Sequence, residues 1–81
     1  MRVDVLYFAA AREAAGPASE TIDLEAGATV AALLAHVVRL HPPLAPLERA
    51  LAVAVDERFA TRDVVLRDGA VVALLPPASG G

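Results

Sequence analysis

Apolar and polar positions alternate with period two near the start of this chain, recur with a period close to 3.6 in its middle, and give way to a continuous apolar run near its end. Residues 3–9 are rich in β-branched and aromatic side chains, which suit a pleated backbone, and predict a first strand. Alternation places Val3, Val5 and Tyr7 on one face and Asp4, Leu6 and Phe8 on the other. Residues 10–15 carry one turn of helical signal before Gly16-Pro17 stops it. Residues 19–24 set Thr21 and Asp23 against Ile22 and Leu24, the pattern of a half-buried strand. Thr29 is placed to cap a helix, because its hydroxyl can accept from an unpaired N–H of the first turn. Val30, Leu33, Leu34, Val37, Val38 and His41 then share one helical face, and Pro42-Pro43 ends that helix.

Residues 44–50, with Pro46 inside, read as a connector, and residues 51–55 as a third strand. Asp56-Glu57-Arg58 is a tight turn, Phe59-Ala60 a short fourth strand, and Arg67-Asp68-Gly69 another turn. Residues 70–75 form a last strand too apolar for a sheet edge, and Pro76-Pro77 ends it by removing two ladder donors. The order β, β, α, β, short β, β implies an α+β fold of the β-grasp, or ubiquitin-like, kind. It has a mixed sheet of four to five strands on one main helix, with the last strand parallel to the first. Residues 1–75 are the domain and residues 76–81 a flexible, extended C-terminal Gly-Gly tail. The inward set is Val3, Val5, Tyr7, Ile22, Leu24, Val30, Leu33, Leu34, Val37, Val53, Val55, Val72 and Leu74. Leu6, Phe8, Phe59, Ala73 and Leu75 fall on the opposite face, where large apolar side chains point to a partner surface.

Composition narrows the chemistry. The 81 residues suffice for one domain, and their hydrophobic fraction of 57% suffices for a core. With no Cys, there is no disulfide, thiolate metal site or cysteine nucleophile. Any sulfur handled here rides on something other than a side chain. The net charge is −3 and the seven basic residues, all Arg, are interspersed with acidic ones, which argues against nucleic acid. Lys, Asn and Gln are absent, a bias that a hot habitat or a GC-rich genome explains equally well. No stretch reaches the roughly 20 apolar residues of a membrane span, and the N-terminus lacks signal-peptide character, so a cytoplasmic protein is expected. His36 and His41 lie five apart, off the i, i+4 spacing that two helical metal ligands need, so no metal site is expected and a surface or helix-end role is.

The end of the chain is chemically distinctive. Pro76-Pro77 stiffens the exit from the last strand, and Ala78-Ser79-Gly80-Gly81 then thins the chain to bare backbone. Six extended residues reach on the order of 20 Å, enough to thread a partner's cleft while the domain stays outside. The reactive group at the tip is the Gly81 carboxylate. A carboxylate is a poor acyl donor until ATP converts it to an acyl adenylate, whose AMP a sulfur or nitrogen nucleophile can displace. Ser79 has no base positioned near it in sequence and serves backbone positioning.

These residues resemble a known family, the small subunit of molybdopterin synthase, a ubiquitin-like sulfur carrier. The matching pieces are Val5-Leu6-Tyr7-Phe8-Ala9 with Arg12-Glu13, Thr29-Val30, Ala54-Val55-Asp56-Glu57, Asp68-Gly69 and the block from Val72 to Gly81. The resemblance implies that a ubiquitin-activating-like adenylyltransferase uses ATP to adenylate Gly81 and that a sulfurtransferase converts it to a thiocarboxylate. The tail, with Gly80 and Ser79 threading, then donates sulfur to cyclic pyranopterin monophosphate in molybdenum cofactor biosynthesis. It implies no bound cofactor, and a large synthase subunit that carries the catalytic residues and assembles with this chain as a heterotetramer. It assigns Phe8, Arg12, Phe59 and Leu75 to partner contacts. The chain departs from the family at Asp56, usually Asn and often followed by Gly. It departs also at Gly69-Ala70-Val71, where Gly-Asp-Glu is usual, and at Leu74-Leu75, where some members carry aromatics. Two other functions fit the same tail: a sulfur carrier for thiamine, tRNA thiolation or cysteine synthesis, and a ubiquitin-like modifier that joins Gly81 to a lysine of another protein.

Overall fold

The computed structural model describes residues 1–77. Five strands, β1 (Arg2–Tyr7), β2 (Ser19–Asp23), β3 (Ala52–Val55), β4 (Arg58–Ala60) and β5 (Val71–Leu75), form one sheet in the order β2-β1-β5-β3-β4. β1 pairs antiparallel with β2 and parallel with β5, while β3 pairs antiparallel with both β5 and β4. The most apolar strand therefore lies at the centre, flanked on both sides, as its composition requires. α1 (Ala9–Ala15), α2 (Val30–Leu40) and a 3₁₀ helix (Pro42–Ala50) complete the chain. This is the β-grasp arrangement expected from the element order, with all five strands present.

Alternation along the strands decides which face is covered. Val3, Val5, Tyr7, Val53, Val72 and Leu74 are buried together with Ile22 of β2 and with Val30, Leu33, Leu34 and Val37 of α2. Leu24 and Val55, expected inside, are only partly buried and pack against the core margin. The core also takes Ala11, Ala15, Leu44, Leu51, Leu66 and Ala70.

Several boundaries shift for local reasons. The first strand stops at Tyr7, because Phe8 takes up the cap of α1 and its carbonyl accepts from the N–H groups of Ala11 and Arg12. α1 is longer than the one turn expected. It ends at Gly16, whose N–H donates to the Arg12 carbonyl at 2.8 Å and whose φ of 103° then turns the chain out of the helix. Thr29 caps α2 as predicted, its hydroxyl accepting from Ala32 N–H at 3.2 Å. The connector after Pro42-Pro43 is a 3₁₀ helix instead. Pro42 and Pro43 fit its first positions, where no N–H is needed, Pro46 lies inside it, and its Leu44 is fully buried against the helical layer.

Candidate functional site

The tail leaves the fold from the middle of the sheet. β5 runs parallel to β1 with Leu74 opposite Tyr7, so both strands point to the same end of the molecule. Phe8 N–H donates to the Leu74 carbonyl at 3.3 Å, which locks the β1–α1 junction beside the start of the tail. Pro76 is half-buried and Pro77 exposed. Ser79, Gly80 and Gly81, the carrier and threading residues read from the sequence, lie outside the described residues.

Around that exit the open face of the sheet is apolar. Leu6 of β1 pairs with Ala73 of β5, Ala73 with Ala54 of β3, and Ala54 with Phe59 of β4. At neighbouring-strand spacing this row spans about 14 Å. One step toward the exit, Leu75 is opposite Ala52, with Phe8 on its other side. Phe59 is 80% exposed and Phe8 43% exposed, so neither side chain is used by the domain's own core. The other half of this face is polar: Thr21 donates to Asp4 at 2.9 Å, and Arg2 pairs with Asp23 at 3.5 Å. Apolar contact area is thus concentrated on the tail side of the sheet.

Of the partner residues read from the sequence, Phe8, Arg12 and Leu75 come together at the exit. Arg12 N–H donates to the Phe8 carbonyl at 3.3 Å, and its side chain is exposed beside Ala9, Glu13 and Gly16 in a shallow surface cleft. Phe59 lies on the open face of the sheet, at the outer strand of the apolar row, whereas Arg12 stands on α1.

One polar cluster was not read from the sequence. Tyr7 Oη donates to Glu20 Oε1 at 2.6 Å, and His41 Nε2 lies 2.6 Å from the same oxygen. The Tyr7 and His41 rings meet edge to face at 5.8 Å. Burial raises the Glu20 pKa, but the hydrogen bonds from Tyr7 and His41, with the charges of His41 and His36, outweigh it and hold the carboxyl below its ordinary value. Burial, then the bond to Glu20 and its negative charge, push the Tyr7 phenol far up, so it remains a neutral donor. The signal was faint: Glu20 stands on an inward-facing position of a strand, where a carboxylate needs a partner, but its partners are 13 and 21 residues away. His41 fills the helix-end role expected of it, as the residue closing α2. Among the described residues no group of three or more His, Cys, Asp or Glu could hold a metal ion.

A five-stranded β-grasp sheet under a helical layer, with an apolar open face around the end of its central strand, defines the ubiquitin-like class of proteins. Within that class the chain belongs to the ThiS family, which matches residues 5–81. It is 37% identical to the molybdopterin synthase sulfur carrier subunit of Chlamydomonas reinhardtii over 83 aligned positions, covering all of both chains. It is 34% identical to the protein of that name from Homo sapiens, over 99% of this chain and 94% of the human one. Among solved structures it is similar to SAMP1 from Haloferax volcanii, with a TM-score of 0.88 and 27% identity over the whole of both chains.

Proposed function

We propose that this chain is the sulfur carrier of a molybdopterin synthase and that the Gly81 carboxylate is the group it lends to chemistry. The observation that carries this reading is the full-length match, at 37% identity, to a molybdopterin synthase sulfur carrier subunit. In the proposed cycle the carboxylate oxygen attacks the α-phosphate of ATP on an adenylyltransferase, pyrophosphate leaves, and an acyl adenylate forms. Sulfur supplied through a sulfurtransferase then bonds to the carbonyl carbon as AMP departs, leaving a thiocarboxylate. The large synthase subunit, which carries the catalytic residues, receives the tail, and the sulfur passes to cyclic pyranopterin monophosphate in the cytoplasm. This chain binds no cofactor of its own, and the assembled synthase is a heterotetramer. Phe8, Arg12, Phe59 and Leu75 hold the domain while Ser79 and Gly80 thread the cleft.

The test is intact mass spectrometry of the untagged chain produced with its activating enzyme. The expected result is the mass gain of one sulfur for one oxygen, lost when Gly81 is deleted. Sulfur transfer to the pterin precursor that survives the deletion overturns the carrier reading. The likeness to SAMP1, named a small archaeal modifier protein in a second structure, favours one other reading, attachment of Gly81 to lysines of other proteins. Conjugates appearing without any thiocarboxylate would establish that reading instead.

A further inference from the structure

Once a C-terminal carboxyl is activated, every nucleophile on the same chain competes with the intended acceptor. This chain has no Lys and no Cys, the two side chains that most readily attack an acyl carbon. Its seven basic residues are all Arg, whose guanidinium stays protonated and offers no lone pair. The Tyr7 phenol is buried, donates to Glu20 and is held neutral. His41 Nε2 is turned onto Glu20, and an acyl group taken up by the half-buried His36 imidazole would give an acyl imidazole that water hydrolyses to the free acid, not a stable product. Thr21 donates to Asp4 and Thr61 to Asp63, and the Thr29 hydroxyl caps α2. Hydroxyls without an activating base are weak nucleophiles in any case.

One primary amine remains, at Met1, and the fold places it badly for this role. The Met1 ammonium donates to the Leu24 carbonyl at 2.7 Å while Leu24 N–H donates to the Met1 carbonyl at 2.8 Å, which extends the β1–β2 ladder by one rung. Because β1 and β5 are parallel, Met1 precedes the start of β1 whereas the tail departs from the other end of the sheet. The length of β1 between them is about 20 Å, so the tail would have to run back along the sheet at its full extension to reach its own Met1, and on a second copy the ammonium is still held by the Leu24 carbonyl.

We infer that the chain is a one-way acyl donor: activated at Gly81, it finds no effective acceptor on itself or on a second copy. The acyl group therefore waits for a nucleophile from a different molecule. This rests on the reading of Gly81 as the activated group, and it adds what the rest of the chain does to protect that group. If Gly81 joins other proteins instead, the same inventory limits the product to single attachments without self-linked chains.

A chemically prepared Gly81 thioester of the full chain tests this without any activating enzyme, so its result stands apart from the fate of the sulfur-carrier reading. In a self-reaction an amine nitrogen attacks the thioester carbonyl carbon, the C–N bond forms, the C–S bond breaks, the thiolate leaves and the amine proton goes to solvent. Incubated concentrated at mildly alkaline pH, the native thioester is expected to decay to the free acid. The Arg49→Lys chain, which keeps the charge at an exposed position on the helical layer, should accumulate covalent dimer at least about tenfold faster. Free cysteine added to the native thioester should capture the acyl group and so show that it is reactive. Dimer from the native chain at a rate near that of Arg49→Lys overturns the inference. Absence of dimer from both chains, with capture by free cysteine intact, overturns it too, because the missing lysines would then not be the cause.

Discussion

Glu20 ties a strand, a helix end and an aromatic ring through one carboxylate, and its protonation state therefore bears on stability. Its folded pKa lies below the ordinary value of 4.5, so at acidic pH the unfolded chain binds the proton more readily than the folded one. The stabilisation is fully present above the ordinary value and is lost as pH falls through the lowered folded value. Glu20→Gln should flatten that acidic limb of the stability profile, measured by denaturant unfolding at a series of pH values. At neutral pH it should cost about 1.5–3 kcal/mol, the range for hydrogen bonds that involve a charged group. An unchanged acidic limb would mean that other carboxylates set it. At the same scale, Asp56 and Glu57 occupy φ values of 49° and 71°, a region that Gly, Asn and Asp enter more readily than Glu. Asp56 also accepts from Val71 N–H at 2.9 Å through its side chain, a role Asn could share. Glu57 makes no such bond among the described residues. Glu57→Gly should therefore stabilise by roughly 0.5–1 kcal/mol, which is a rise of several degrees in Tm for a domain of this size. No change or a fall in a thermal melt would show that the turn tolerates Glu without strain.

Elements were legible to the extent that their signal is local. The helix from Val30 is marked by an N-cap, an unbroken 3.6 period and a double proline, and all three are used as read. The alternation of β1 and β5 placed Val5, Tyr7, Val72 and Leu74 inside and Leu6, Ala73 and Leu75 outside, because a period of two leaves no other choice once one face is covered. The apolar tail-side face, and the gathering of Phe8 and Leu75 on it, follow from the same parity. The 3₁₀ helix was not legible, since three prolines in nine residues erase any α-helical period while still permitting turns. Ala9 shows the same limit: its φ of 48° turns the chain out of β1 into α1, and nothing in an Ala-rich run announces it. The 3₁₀ helix is more than a link, because Leu44 has no exposed surface. Leu44→Ala should cost about 2–5 kcal/mol in chemical unfolding. A loss below 1 kcal/mol would return this segment to the status of a connector.

At the scale of the molecule the parallel β1–β5 pair couples domain and tail. It puts the tail exit at the centre of the sheet and the apolar row from Leu6 to Phe59 alongside that exit, so a partner that grips the row sits next to the point where the chain leaves the sheet. Docking and chemistry are then separable in a way that a side-chain active site rarely allows. Phe59 is 80% exposed and supports no core contact, so Phe59→Ser should change stability by less than about 0.5 kcal/mol. If Phe59 anchors the large subunit, the same change should weaken that complex by about 1–2 kcal/mol, or roughly five- to thirtyfold in Kd. Deletion of Gly81 should do the reverse: the complex forms with Kd changed less than the Phe59→Ser chain shows, yet no sulfur reaches the product. Titration calorimetry of each chain against the large subunit, read beside intact mass after exposure to the activating enzyme, gives both quantities on the same samples. Equal loss of affinity from the two changes would mean that the tail itself supplies the grip. The apolar face would then have to be covered by something other than the synthase partner.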